Sequence, residues 1–210
     1  MQATSHVSVD ALTLRYNSLE RRVEIAVAPR QAEPYLGQLA LPGVLLWEGE
    51  RLADATRRAV GTKLGIEPPR AMGQLVVFDE PARDPRGFTL SIAMWAVADG
   101  DAPRWCALDQ IPPLAFDHFA IVNRCRPILA DLLWRDLAFT RAITGPRFPV
   151  SDAVAITASL SGQVPDRGNL NRRLAAVEGL HITERRVVRG RGRPGATWAW
   201  LHPEVSKPVA

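Results

Sequence analysis

The chain is 210 residues long, 47% hydrophobic and +4 in formal net charge, which allows one large domain or two small ones around a real core. Its longest apolar runs, such as LALPGVLLW, are too short and interrupted to cross a bilayer, and the opening MQATSHVSVDALTLRY lacks a basic region followed by an apolar stretch; no membrane segment and no secretion signal are expected, and the cytoplasm is the expected compartment. From Gly145 onward ten Lys/Arg stand against five Asp/Glu, a net of +5 against +4 for the whole chain, so the first 144 residues sum to −1, and a near-neutral front with a basic tail predicts two domains, the second meeting a polyanion.

In chain order, VDALTLRY and VEIAVAPR read as a strand pair around a polar turn at Asn17 to Arg21. QAEPYLGQLALPG is loop-like, punctuated by Pro34, Gly37, Pro42 and Gly43. Leu52, Ala55, Ala59, Val60 and Leu64 recur at helical spacing, with Gly65 in the position of a C-terminal cap. QLVVFD at 74–79 is a strand, and FTLSIAMWAVA alternates at Phe88, Leu90, Ile92, Met94 and Ala96, which predicts a strand with one buried face. A polar loop, PARDPRG, joins the two. From His118 to about Phe139 the pattern is helical again, and Pro127 predicts a kink or restart inside it. The connector TRAITGPRFP then leads to a separate unit that reads helix, helix, hairpin. Ser151 and Asp166 are the expected helix caps, Gly162 and Gly179 the stops, and ITERRVV and ATWAWLH the strands joined by RGRGRPG. Trp198 and Trp200 are expected in its core. Cys106 and Cys125 lie outside any CxxC spacing and read as reduced buried thiols. The histidines are scattered without metal-ligand spacing.

The order strand, LALPG, acidic loop and helix ending in Leu-Gly-Ile resembles the Nudix signature, G-x5-E-x7-R-E-U-x-E-E-x-G-U with U a bulky apolar residue. Glu50, Arg58, Gly65 and Ile66 match it. Val44 replaces the signature glycine, Ala59 replaces the first helix glutamate, and Thr62 and Lys63 replace the E-E pair. Those glutamates present carboxylate oxygens on one helical face to hold Mg²⁺, which neutralises a diphosphate and activates water. Without three of the four ligands, and with an ammonium at Lys63 that repels a divalent cation, no metal site, no catalytic residue and no cofactor are expected. An unrelated base such as Asp79 or Glu80 could in principle substitute, but nothing in the sequence points to it. Lys63 could balance ligand charge directly, helped by Arg30, Arg83 or Arg86.

In the tail, Leu170, Leu174 and Val177 form an inward stripe, which leaves Arg167, Asn169, Asn171, Arg172 and Arg173 mostly outward on the N-terminal half of the helix. A recognition helix touches base edges there: arginine bonds bidentately to guanine and asparagine to adenine. Arg189, Arg191 and Arg193 at the hairpin tip suit phosphate contact or a narrow minor groove. A solvated basic face that docks onto another protein is the competing reading.

Beyond the eroded box, PYLGQLALPG, FDEPARDPRGFTLSIAMWA, IPPLAFDH, FPVSDA, DRGNLNRRL and GRGRPGATWAW together resemble the Nudix-related (NrtR-like) transcriptional regulators over nearly the whole chain. The resemblance implies an α/β fold: a Nudix-type α/β/α sandwich with a mixed sheet at 1–140, followed by a C-terminal winged helix-turn-helix domain at 141–210. It further implies a homodimer that binds double-stranded operator DNA and senses a small effector, a nucleotide such as ADP-ribose or a sugar phosphate. A residual, metal-dependent Nudix hydrolase acting on nucleoside diphosphate derivatives is the alternative.

Overall fold

Apolar alternation in VSVDALTLRY and VEIAVAPR folds the chain back on itself as β1 (His6–Asn17) and β2 (Arg22–Pro29), with Leu14 opposite Ile25. The turn between them is held by Asn17, whose side-chain oxygen accepts from the backbone N–H of Leu19 and of Glu20, each at 3.1 Å. The computed structural model describes residues 5–101, 104–185 and 196–201. β3 (Leu39–Ala40), β4 (Gly43–Leu45), β5 (Ala71–Phe78), β6 (Thr89–Val97) and β7 (Arg104–Ala107) complete a seven-stranded mixed sheet. Its order is β3-β2-β1-β6-β5, with β4 on β1 and β7 on β2, and β1 runs parallel to β6.

Helix α1 (Leu52–Leu64) covers one face of the sheet. Val60 and Leu64 sit against Ala11, Ala26 and Ala96, and Ala55 against Val9 and Met94. The expected stop is in place: Gly65 takes a left-handed φ of 67° and its N–H bonds to the Gly61 carbonyl. The other face, with Leu12, Leu14, Ala93, Trp95 and Val97, is covered by α2 (His118–Leu132) and α3 (Leu137–Thr144). The expected α/β/α layering with a mixed sheet is therefore present.

β6 differs from the expectation of one buried face. Ala93, Trp95 and Val97 lie in the α2/α3 core while Met94 and Ala96 are buried beneath α1, and Phe88 precedes the strand with 41% of its surface exposed. The strand lies between β1 and β5 with helices on both sides, so both of its faces are apolar and the alternation loses its meaning. Trp95 also explains Gly73 on β5: a Cβ there would lie 2.6 Å from the indole Nε1.

Pro127 does not restart α2, which runs through it from His118 to Leu132. It is exposed, as is Asn123, whose carbonyl loses its helical partner on the solvent-facing side of the helix. The break falls at 133–136 instead, where Trp134 adopts φ 66° and the Asp136 carboxylate caps α3 by accepting from Phe139 N at 2.9 Å. The connector expected to be irregular is mostly regular: α3 continues to Thr144, and β8 (Arg147–Pro149) follows.

The basic tail then forms α4 (Val150–Ser161), α5 (Arg167–Ala175), β9 (Leu180–Arg185) and β10 (Ala196–Trp200), with the strands ordered β8-β10-β9. Asp166 caps α5 as expected, accepting from Asn169 N at 2.8 Å, and Gly162 ends α4 in the left-handed region. Ser151 does not cap α4, which begins at Val150 after Pro149, and α5 stops at Ala175, short of Gly179. Trp198 and Trp200 are buried, as expected. The apolar core does not stop at residue 140. It runs from the sheet through Phe139, Phe148 and Ile156 to Leu174 and Trp200. Polar bonds follow the same seam: Arg126 on α2 donates to the carbonyls of Ser159 (2.7 Å) and Leu160 (3.1 Å), Trp134 to Thr157 and Trp200 to Thr144.

Candidate ligand pocket and basic helix

A cavity of about 360 Å³ opens beside β1, β4 and α1, and Arg30, Lys63, Arg83 and Arg86 all line it. The sequence therefore identified cations that the fold brings together. Three further residues define the site and carry no role in the sequence reading: Asp10, Phe116 and His118. Asp10 shares its sheet face with Leu12 and Leu14, where a lone carboxylate in an apolar alternation is the available signal. Phe116 and His118 belong to the IPPLAFDH stretch, but no spacing rule assigns them.

The floor of the cavity is a buried charge network. The Asp10 carboxylate accepts from Ser91 Oγ in a short bond and from Ser8 Oγ at 3.4 Å, and it lies 3.6 Å from both Arg83 Nη2 and His118 Nε2. His118 Nδ1 accepts from the Leu41 N–H at 3.0 Å, which puts the imidazole proton on the nitrogen facing Asp10. Burial pushes the His118 imidazole below its ordinary value, outweighing the nearby carboxylates of Asp10 and Asp117. Gly43 closes the floor from β4; a Cβ at that position would lie 2.2 Å from Asp10 Oδ1.

Arg83 does more to build this floor than to face the cavity. Its side chain is 4% exposed and forks onto Asp117, with Nε to Oδ2 at 3.0 Å and Nη2 to Oδ1 at 2.8 Å. Asp117 immediately precedes α2, so the loop after β5 is tied to the start of that helix.

Phe116 and Tyr35 both adopt left-handed φ values, 55° and 67°, and their rings meet edge to face at 4.8 Å. Such strain in bulky residues concentrates at binding sites. Arg30 lies over the Phe116 ring at 4.5 Å and Arg86 at 5.6 Å. Arg86 pairs with Asp84 at 2.7 Å. Burial disfavours the Asp84 carboxylate, but the Arg86 hydrogen bonds outweigh it and hold its pKa below the usual range. Among the described residues Arg30 donates to backbone carbonyls alone, Pro34 O at 2.6 Å and Ala32 O at 3.2 Å. Burial, then the charge of Arg86, lowers its pKa.

The Nudix-like helix forms one wall, and its donor set does not fit a divalent cation. Glu50 is held by Arg58 through bonds of 2.6 and 2.8 Å, which pull its carboxyl below the usual range, and Arg58 stacks on Trp47 at 3.7 Å. Ala59 is fully buried, Thr62 bonds its own helix at Arg58 O, and neither lines the cavity, whereas Lys63 does. Among the described residues no three His, Cys, Asp or Glu side chains converge as a metal site. Asp79 and Glu80 are exposed and outside the cavity. Both cysteines are buried and unbridged, and burial pushes the Cys125 thiol up to about 12, which leaves it unreactive.

On α5, Leu170 and Leu174 face the core while Arg167, Asn169 and Arg172 are exposed, with Arg172 donating to the Asn169 side chain in a short bond. Arg173 is exposed as well, though its guanidinium reaches back to the Leu133 carbonyl at 3.0 Å, and of the expected outward set only Asn171 is half-buried. Arg189, Arg191 and Arg193 lie outside the described residues. Among the described residues no helix is long and apolar enough to cross a membrane.

No protein-family model matches the chain. Over 114 residues it is 31% identical to an ADP-ribose pyrophosphatase of Methanocaldococcus jannaschii, spanning 50% of this chain and 67% of that one. The chain belongs to the Nudix family. Over nearly its whole length its fold is that of a Nudix-related regulator, Shewanella oneidensis NrtR, crystallised with a 27mer DNA: TM-score 0.73, 23% identity, 92% of this chain and 93% of that one. A MutT/nudix family protein from Enterococcus faecalis matches at TM-score 0.73 and 18% identity, covering 95% and 88% of the two chains. The NUDIX domain of the Shewanella NrtR complexed with ADP ribose matches at TM-score 0.53 and 24% identity, covering 61% and 90%.

Proposed function

We propose that the chain is a ligand-responsive transcriptional regulator, with a Nudix-type sensor at 1–140 and a winged helix-turn-helix at 141–210 that binds operator DNA as a homodimer. The observation that carries this reading is α5. It turns Arg167, Asn169 and Arg172 to solvent while Leu170 and Leu174 anchor it, on a chain whose fold follows a DNA-bound protein through 92% of its length. In this reading α4 supports α5, β9 and β10 form the wing, and Arg189, Arg191 and Arg193 contact phosphate or the minor groove.

The sensor is proposed to hold a nucleotide-type metabolite of the ADP-ribose class without hydrolysing it. Ala59, Thr62 and Lys63 leave the helix without the carboxylates that metal-assisted attack on a diphosphate requires. Helix α2 is the proposed transmitter. It starts at Asp117 and His118 beside the pocket, grips α4 through Arg126 and ends at Leu133, which receives Arg173 of α5. Ligand binding would shift α2 and change the separation of the two DNA-binding units.

The hydrolase reading has one observation in its favour, the identity with an ADP-ribose pyrophosphatase. An electrophoretic shift assay against the gene's own upstream region, with and without ADP-ribose, tests the regulator reading. Binding that survives competitor DNA, weakens steeply with salt and responds to the ligand is expected. Metal-dependent cleavage of ADP-ribose to AMP and ribose 5-phosphate without sequence-selective DNA binding would replace it with the hydrolase.

A further inference from the structure

The cation balance of the pocket is uneven in a specific way. Of the five basic side chains that line it, Arg58 is neutralised by Glu50, Arg83 by Asp117 and Asp10, and Arg86 by Asp84. Arg30 and Lys63 have no carboxylate within ion-pair distance among the described residues. They come from different elements, the end of β2 and the last turn of α1, and both line the same cavity. With no ion pair to break at either residue, an anionic ligand in this concave site can pair with both without first displacing a carboxylate.

We propose that this pocket binds a diphosphate-bearing anion without any divalent metal, with Lys63 and Arg30 supplying the positive charge that a metal would otherwise bring. The proposal rests on the sensor reading above and adds the mode of recognition. Three observations converge on it. The helix position that would offer a first carboxylate is Ala59, which is fully buried and carries no oxygen to give a metal. Glu50, the one signature glutamate that survives, is closed off by two bonds from Arg58. Lys63 is exposed, in the last turn of its helix, and among the described residues its ammonium has no partner to leave when a phosphate arrives. The aromatic rim fits the rest of such a ligand: Phe116, braced by Tyr35 and covered by Arg30, offers a stacking surface beside the cations.

Lys63 is proposed as a binding residue with no role in folding, since it is exposed and makes no ion pair among the described residues. Calorimetry on the full chain with ADP-ribose and with inorganic pyrophosphate, each in EDTA and in Mg²⁺, tests the idea. ADP-ribose should bind in EDTA with an affinity that Mg²⁺ changes less than twofold. Lys63→Met should weaken it roughly tenfold, Lys63→Glu further, and Lys63→Arg should restore most of the loss. All variants should melt within a degree or two of the parent protein, so that loss of binding is not loss of fold. Binding that requires Mg²⁺, equal affinity in Lys63→Met, or no binding of either probe overturns the proposal. Operator binding is measured in parallel: its absence overturns the regulator reading while leaving a metal-free affinity intact, and its presence with Mg²⁺-dependent ligand binding overturns only the metal-free mode.

Discussion

The guanidinium of Arg173 donates to the carbonyl of Leu133 at 3.0 Å, while its neighbour Arg172 points to solvent on the same helix. Adjacent arginines on α5 therefore have different work. Arg172→Ala is expected to lower specific operator affinity by about 1–3 kcal/mol with little change in melting temperature. Arg173→Met should leave sequence selectivity in place and instead weaken the response of DNA binding to ligand, because it cuts the link to the end of α2. Shift assays with matched and mismatched operators separate the two effects. Equal selectivity loss in both variants would place Arg173 at the DNA.

Arg83 holds two carboxylates, Asp10 and Asp117, in a nearly dry site. Removing one partner of a buried ion pair leaves the other uncompensated, so Arg83→Met should destabilise the protein by about 3–5 kcal/mol in urea unfolding. Asp117 is 20% exposed and less desolvated, and Asp117→Asn should cost less than Arg83→Met. A milder Arg83 variant, near 1 kcal/mol, would mean that water already reaches the pair.

His118 fixes the sign of a pH effect. Burial keeps it neutral in the fold, below its ordinary value, so the unfolded chain takes up the proton first. Stability is therefore full above about pH 6.5 and falls as the pH drops below the ordinary histidine value. Urea midpoints taken between pH 7.5 and 5.5 should decline, and His118→Asn, which keeps an acceptor for the Leu41 N–H, should flatten that slope. The charged groups around the ring are Asp10, Asp117, Arg83 and Arg30. An unchanged slope in the variant assigns the pH dependence to other groups.

Ile156 is fully buried on α4, in the core that joins the sheet to the basic unit. Ile156→Ala should cost about 2–5 kcal/mol through the cavity it leaves. The loss should appear in one transition seen equally by tryptophan fluorescence and far-ultraviolet circular dichroism. Two separated transitions would show that the halves melt independently.

Local chemistry was readable where one rule decided it. Gly65 and Asp166 mark their helix ends because left-handed backbone and an N-terminal carboxylate each have one use there. Periodicity was less informative for β6, since a strand covered on both faces has no polar side to mark. The break between α2 and α3 was displaced from Pro127 to 133–136, because a proline facing water leaves no buried group unsatisfied. For the pocket, cations stood out in sequence, and Arg30, Lys63, Arg83 and Arg86 do line it. What sequence could not give was their division of labour. Whether an arginine is ion-paired, like Arg83, or bonded to backbone carbonyls, like Arg30, depends on carboxylates far away along the chain. Asp10 and His118 are 108 positions apart, and only the fold brings them within 3.6 Å.

The core that runs from the sheet to Trp200 also limits how such proteins diversify. Exchanging residues after 144 for those of another regulator would strip the covering from Phe139, Trp134 and the start of β2, and leave the incoming helices without a matched seat. On the proposed DNA-binding reading of α5, new operator preferences are more accessible through substitutions at the exposed Arg167, Asn169 and Arg172 than through wholesale module exchange. A shared interior makes the two halves inherit together.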